Sequence, residues 1–263
     1  MIVAATLGLG LLIGLSLGAL GGGGSILTVP ALVYVIGQDA RAATTSSLFI
    51  VGVTSVIAAL GHARSGRVRW GVGVAFGITG IAAGFAGTAV NRLMNPDVLL
   101  LGFAAVIVVA AVGMLANSGD ETLPPEEGDA LQPARRWRAG RIGRIAGAGL
   151  LVGFMTGLFG VGGGFVIVPA LTLALGMSMP QAVATSLVVI SINSAGALLA
   201  RAGTAHFDWA VIAPFTLAAV AGSLGGKVVA DRLSGATLTR AFAVLLIAVA
   251  VYTATSSLIS LLG

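Results

Sequence analysis

Residues Gly10–Leu32 read GLLIGLSLGALGGGGSILTVPAL, and Gly149–Leu171, 139 positions further on, read GLLVGFMTGLFGVGGGFVIVPAL. Many positions coincide, among them Gly14/Gly153, Gly18/Gly157, Gly21/Gly160 and Pro30/Pro169. The first copy lies in a run, residues 1–38, without one ionised side chain. As a single straight helix that run would reach ~57 Å, against a hydrocarbon core of ~30 Å. It has to break, and Gly21–Gly24 is where breaking costs least. The piece before the break is long enough to span or nearly span. The piece from Ser25 to Gly37 is too short for a comfortable crossing. The sequence therefore predicts a helix–glycine turn–helix hairpin that re-enters from one side. Residues 145–178 are expected to form the same object around Gly160–Gly164.

The register of the repeat extends outward from this stretch. TSSL at Thr45 lies on ATSL at Ala184, Thr54-Ser55 on Asn193-Ser194, and Trp70 on Trp209. One inserted residue then brings NRL at Asn91 onto DRL at Asp231. Chance does not sustain such a match over so long a span. The chain reads as a tandem duplication, an arrangement common among secondary transporters. The first repeat covers residues 1–116, a polar linker residues 117–140, and the second repeat residues 141–263. Each repeat is a Gly-broken helical hairpin followed by three transmembrane helices, in an all-α polytopic membrane protein.

Composition agrees. Of 263 residues, 57% are hydrophobic, 9% are charged and 40 are glycine, with a mean hydropathy of +1.06. A soluble domain carries roughly a quarter charged residues because its surface must face water. A soluble enzyme, a nucleic-acid binder and a disordered chain are excluded. The basic excess (14 Lys+Arg against 9 Asp+Glu) is what flanks membrane segments. The chain has no cysteine and two histidines, His62 and His206, so thiolate and multi-histidine metal sites are excluded too. No cofactor is expected. The apolar N-terminus lacks the basic leader of a signal peptide and is read as a retained membrane segment.

Counting positive charges orients the halves. With an odd number of crossings per half, one side collects Arg64, Arg67, Arg69, Arg135, Arg136, Arg138, Arg141, Arg144, Lys227, Arg232 and Arg240. The other side keeps Arg41, Arg92 and Arg201, a split of 11 against 3. Counting each broken unit as one crossing makes the halves parallel and gives 9 against 5. The positive-inside rule prefers inverted halves with the basic side cytoplasmic.

Non-helical backbone at membrane depth is tolerated only where protein buries it or it lines a wet cavity. Half-helices starting near Gly24-Ser25 and Gly163-Gly164 would aim unsatisfied N–H groups and positive dipole ends into the membrane, where an anion is the natural occupant. Candidate substrate-binding residues are Gly22, Gly23, Gly24, Ser25, Gly162, Gly163 and Gly164. The GxxxGxxxG stripes (Gly10, Gly14, Gly18; Gly149, Gly153, Gly157) are better explained by close helix packing.

The duplicated glycine turn followed by proline, at Leu20–Pro30 and Phe159–Pro169, resembles the TauE/SafE sulfite exporter family. The TTSSL and AVATSL segments and the polar mid-chain linker are similar as well. One departure is Val161, where the first turn has Gly22. The resemblance implies a multi-pass transporter of the bacterial cytoplasmic membrane, exporting sulfite, sulfonates or related anions, and not an enzyme.

Hydroxyl and amide donors suit an oxyanion because they bind it without a permanent charge. Thr45, Ser46, Ser47, Thr185, Ser186 and Asn193 join the candidate set on that ground. Helix–helix hydrogen bonding or capping would equally explain the hydroxyls. Asn193 is favoured because a mid-membrane amide is costly without a partner or a task. No Asp or Glu falls inside a predicted span, which disfavours cation pumps. Lys227, His62, Arg201 and His206 fall at segment ends. The expected partners are the lipid bilayer, a small anion and, as an option left open, a second copy of the chain; nucleic acid is not among them. A channel-like permease stays a rival, since half-helix pairs occur in channels too. An intramembrane enzyme built on Ser25 and a histidine is a weaker one.

Overall fold

The fold was obtained as a computed structural model, which describes residues 2–91, 93–94, 96–117, 134–159, 164–201 and 207–262. Arg92, most of the linker, His206 and part of the second turn, including Gly162 and Gly163, lie outside the described residues.

The described residues form helices and no strand. In the first half these are α1 (Ile2–Leu20), α2 (Gly23–Pro30), α3 (Ala40–Ala63), α4 (Trp70–Asn91) and α5 (Pro96–Asn117). In the second they are α6 (Ala134–Phe159), α7 (Gly164–Pro169), α8 (Met179–Ala200), α9 (Trp209–Arg232) and α10 (Gly235–Leu262). The first break falls where expected: Gly21 takes φ 72°, a left-handed conformation that a side chain would resist. Pro30 and Pro169 do not end their helices. Each is followed by a π-helical turn, Ala31–Val35 and Ala170–Ala174. Proline has no N–H and its ring crowds the preceding turn, and widening the helix relieves both.

Among the described residues, six helical stretches are long and apolar enough to cross a membrane: Arg41–Ala63, Trp70–Asn91, Ile142–Phe159, Met179–Ala200, Trp209–Arg232 and Gly235–Thr253. Shorter apolar stretches are Ala5–Leu20, Gly23–Val35, Gly102–Ala116 and Gly164–Ala174. The hairpin arm at Ile142–Phe159 is thus long enough to span by itself, and α5, with 22 residues, covers the span expected at residues 98–116. Large apolar side chains such as Leu12, Phe85, Val109 and Leu151 are exposed, as faces toward lipid should be.

Glycine decides which helices meet. A Cβ at Gly14 would overlap the backbone of Ala219, and one at Gly18 that of Ser223, so α1 lies against α9 at backbone distance. Likewise Gly153 abuts Gly80 and Gly157 abuts Gly84, which brings α6 onto α4. In both pairs the residue numbers rise together, so the helices are parallel. Asn91 extends the second pair, donating from Nδ2 to the Leu158 carbonyl at 2.6 Å.

Two further contacts fix directions. Gly73, Gly77 and Gly196 of α4 and α8 meet Val188, Ile192 and Ile81 in step, so α8 is parallel to α4. Phe49 stacks edge-on against Trp209 at 5.3 Å while Gly61 meets the Lys227 stem, so α9 is parallel to α3. Between α3 and α8 the order reverses. Gly52 faces Ser194, whereas Arg201 reaches back to Thr45 at 3.3 Å. Helices α3 and α8 therefore cross antiparallel near their middles.

Candidate functional site

The two broken hairpins meet inside the bundle. A Cβ at Gly22 would overlap the carbonyl of Gly164, and one at Gly164 would strike the Ser25 hydroxyl and stand 3.1 Å from Ile190. Ile190 lies half-way along α8 and Gly21 meets Ser186 and Val183, so the contact sits between the α3–α8 crossing and the start of α8. All of α7 is buried, as are Gly23, Gly24, Ser25, Ile26 and Thr28 of α2. Phe165 packs edge-on against Phe103 of α5 at 5.0 Å, and Phe103 also meets Phe159. This is irregular backbone enclosed by protein, the setting in which a membrane tolerates it.

Several predicted residues gather here. Gly22, Ser25 and Gly164 form the contact itself, and Gly21 presses on the Ser186 hydroxyl. Ser25 is not a free donor, because its Oγ donates to the Gly22 carbonyl at 2.8 Å. Gly23 and Gly24 face outward from the contact. A side chain at Gly23 would meet Leu245 of α10, and one at Gly24 the Ile13 carbonyl and Leu17 of α1. Close packing explains those two glycines.

The hydroxyl clusters do not converge. Thr45, Ser46 and Ser47 lie near the start of α3, where Thr45 donates to the Arg41 carbonyl and accepts from Arg201. Thr185 and Ser186 lie near the start of α8, and Thr185 Oγ1 accepts from the Arg69 backbone N–H at 3.1 Å. Because the two helices are antiparallel, the clusters are about 15 residues apart along the bundle, or ~22 Å. Ser47 and Ser186 each donate to a carbonyl of their own helix, of Thr44 and Val183, both at 2.8 Å. Such back-bonding occupies the hydroxyl hydrogen.

Other polar atoms are buried without a partner: Ser46 Oγ, Thr54 Oγ1, Ser55 Oγ, Asn193 Oδ1, both side-chain atoms of Gln38, and Nδ1 of His62. Each costs free energy unless something else pairs with it. Thr54, Ser55 and Asn193 flank the α3–α8 crossing. The Asn193 amide points toward Gly80 on the α4–α6 seam, with Oδ1 3.6 Å from where a Cβ there would stand. It therefore borders the neighbouring seam and not the Gly22–Gly164 contact. Gln38 carried no signal in the sequence, since its burial comes from the chain folding back after the π turn.

Charges collect at the helix ends. On one side Asp231 pairs with Arg67, from the loop after α3, and with Lys227 at 2.6 Å. Lys227 thus holds an acid of its own helix instead of only reaching for the interface. His62, also at this end, is 1% exposed: it is buried against α1 and not placed at the boundary.

The Sulfite exporter TauE/SafE family model matches residues 6–253 of the chain. A "Probable membrane transporter protein" of Xylella fastidiosa (strain Temecula1) is 34% identical over 252 residues, covering 94% of this chain and 93% of the relative. "Probable membrane transporter protein YunE" of Bacillus subtilis is 27% identical over 235 residues, covering 83% and 84%. "Probable membrane transporter protein MJ0441" of Methanocaldococcus jannaschii is 29% identical over 196 residues, covering 72% and 68%. No solved structure matches the chain significantly.

Proposed function

This chain belongs to the Sulfite exporter TauE/SafE family of membrane transporters, and from that premise we propose that it moves small oxyanions, sulfite and sulfonates first among them, across a bacterial cytoplasmic membrane. The observation that carries the reading is the buried contact between Gly22 and Gly164. There two half-helices begin back to back, and backbone N–H groups at helix starts favour negative charge. Thr54 and Ser55, beside the α3–α8 crossing, add polar atoms still in need of partners. None of these groups is ionised, which suits a site that must both take up and release an anion.

The two halves are read as inverted repeats, residues 1–116 and 141–263. Three features support this. The equivalent helices α3 and α8 are antiparallel; α4 follows α8 and α9 follows α3; and the exchange α1–α9 is matched by α6–α4. The start of α4 and the ends of α3 and α9 share one side, where Arg67 and Asp231 join. Arg64, Arg67, Arg69, Lys227 and Arg232 fall at those ends, which supports reading that side as cytoplasmic. Alternating access then amounts to rocking of one half against the other about the glycine contact.

Flux decides it. Proteoliposomes containing the protein are expected to exchange radiolabelled sulfite or methanesulfonate well above empty vesicles. Exchange no faster than in empty vesicles for any sulfur-containing or carboxylate anion would overturn the reading.

A further inference from the structure

His62 is the one titratable side chain buried among the described residues. Its ring sits between α3 and α1, with Nε2 3.0 Å from the Gly18 carbonyl oxygen. A carbonyl only accepts, so in the neutral ring Nε2 carries the hydrogen and Nδ1 is a bare lone pair. That Nδ1 is buried and has no partner. An unpaired basic nitrogen inside a packed bundle costs free energy, and a ring kept only for packing would do better as an apolar side chain. Gly18 lies three residues before the Gly21 turn, so ring and turn are about one helical turn, ~5 Å, apart along α1.

The charged groups facing the ring are Lys227 and Asp231 from α9 and Arg67 from the loop after α3. Asp231 is already engaged by both cations. Helices α1, α2 and α8, which also pack on α3, contain no ionisable residue. Tyr34, on the π turn after α2, is 75% exposed, and that turn packs through Ala31 and Leu32 against the opposite half of α3. No free carboxylate among these groups is left to balance an imidazolium. An incoming anion is.

We propose that His62 is a proton-binding site that couples anion movement to the proton gradient, Nδ1 taking up a proton when an oxyanion occupies the adjacent glycine turn and releasing it when the anion departs. The proposal rests on the transport reading above. Anion and imidazolium each favour the other's binding, and that mutual preference is the coupling. A proton and a monoanion then travel together with no net charge.

His62→Gln places an amide N–H where Nε2–H stands but offers no basic nitrogen. In proteoliposomes it is expected to keep exchange of labelled sulfite and methanesulfonate above that of empty vesicles, at a rate that no longer varies with pH. Uphill accumulation driven by an imposed pH gradient should fall by about tenfold or more. Methanesulfonate is a fully ionised anion, so it brings no proton of its own. Gradient-driven accumulation by His62→Gln equal to wild type would overturn the proposal, as would a wild type that exchanges anions but ignores the gradient. Absence of any wild-type exchange would instead defeat the transport reading. A second measurement avoids the variant: nitrogen NMR of ring-labelled histidine, with His206→Gln as background, should show methanesulfonate raising the titration midpoint of His62. A midpoint unmoved by the anion would contradict the coupling.

Discussion

Gly22→Leu is expected to abolish anion exchange, to the level of empty vesicles, while the protein still inserts in the membrane. The position cannot take even a methyl group, because a Cβ there would overlap the Gly164 carbonyl. The obstacle is backbone, which cannot rotate away as a long side chain could. The two half-helices would have to part, and the helix starts that face one another would no longer share a site. Gly22→Ala should show the same effect in weaker form. Gly164→Leu should match Gly22→Leu, since its side chain would drive into Ser25 and Ile190 from the other side of the same contact. Gly37→Ala serves as the control. Gly37 is left-handed at φ 82° but has open space around it, so substitution there costs backbone strain without touching the contact. Exchange by Gly22→Leu at the wild-type rate would show that anions do not pass the glycine contact.

Gly153→Leu is expected to lose folded protein outright. Its Cβ would enter the backbone of Gly80, in a seam where Gly149, Gly157 and Gly87 are equally tight. Overpacking a well-packed core costs ~1–3 kcal/mol even where neighbours can shift. Here the neighbours are main-chain atoms of α4, and in lipid no hydrophobic drive pulls separated helices back together. Gly14→Leu should do the same to the α1–α9 seam. Gly8→Leu, with open space at its Cβ position, should fold and insert normally. Size-exclusion elution after detergent extraction reads the difference: a sharp peak for Gly8→Leu, aggregate or no protein for Gly153→Leu. A monodisperse, thermally unchanged Gly153→Leu would mean that the two helices are not in backbone contact.

Much of this architecture is legible in the residues. Charge-free runs and the hydrocarbon thickness require the first helix to break. The repeat of that break 139 positions later makes it a feature of both halves. The glycine stripes at Gly14 and Gly153 indicate close packing, but a stripe specifies a face and not the helix that covers it. That α1 pairs with α9, and α6 with α4, depends on the three-dimensional exchange of the halves.

The candidate hydroxyls show a second limit. Thr45–Ser47 and Thr185–Ser186 occupy matching places in the two repeats, which suggests one shared site. The antiparallel crossing of α3 and α8 sends them to opposite ends instead. Whether a serine hydroxyl is free is a matter of its rotamer. Ser47 donates to its own helix, whereas Ser46, one residue earlier, is buried with no partner. Burial is similarly hidden for His62. Two residues from a charged loop it reads as interfacial, yet the end of α1 covers it.

Passage of an anion at the glycine contact requires the halves to run in opposite directions, because only then do two equivalent turns arrive at the contact from opposite sides. The chain has no cysteine, so Ile2→Cys and Ser118→Cys can each be made as the single thiol in the protein. In right-side-out vesicles a membrane-impermeant maleimide should label Ile2→Cys from outside, and Ser118→Cys only after the vesicles are opened. Labelling of both thiols from the same side would contradict the inverted arrangement and, with it, the meeting of the two turns in mid-membrane.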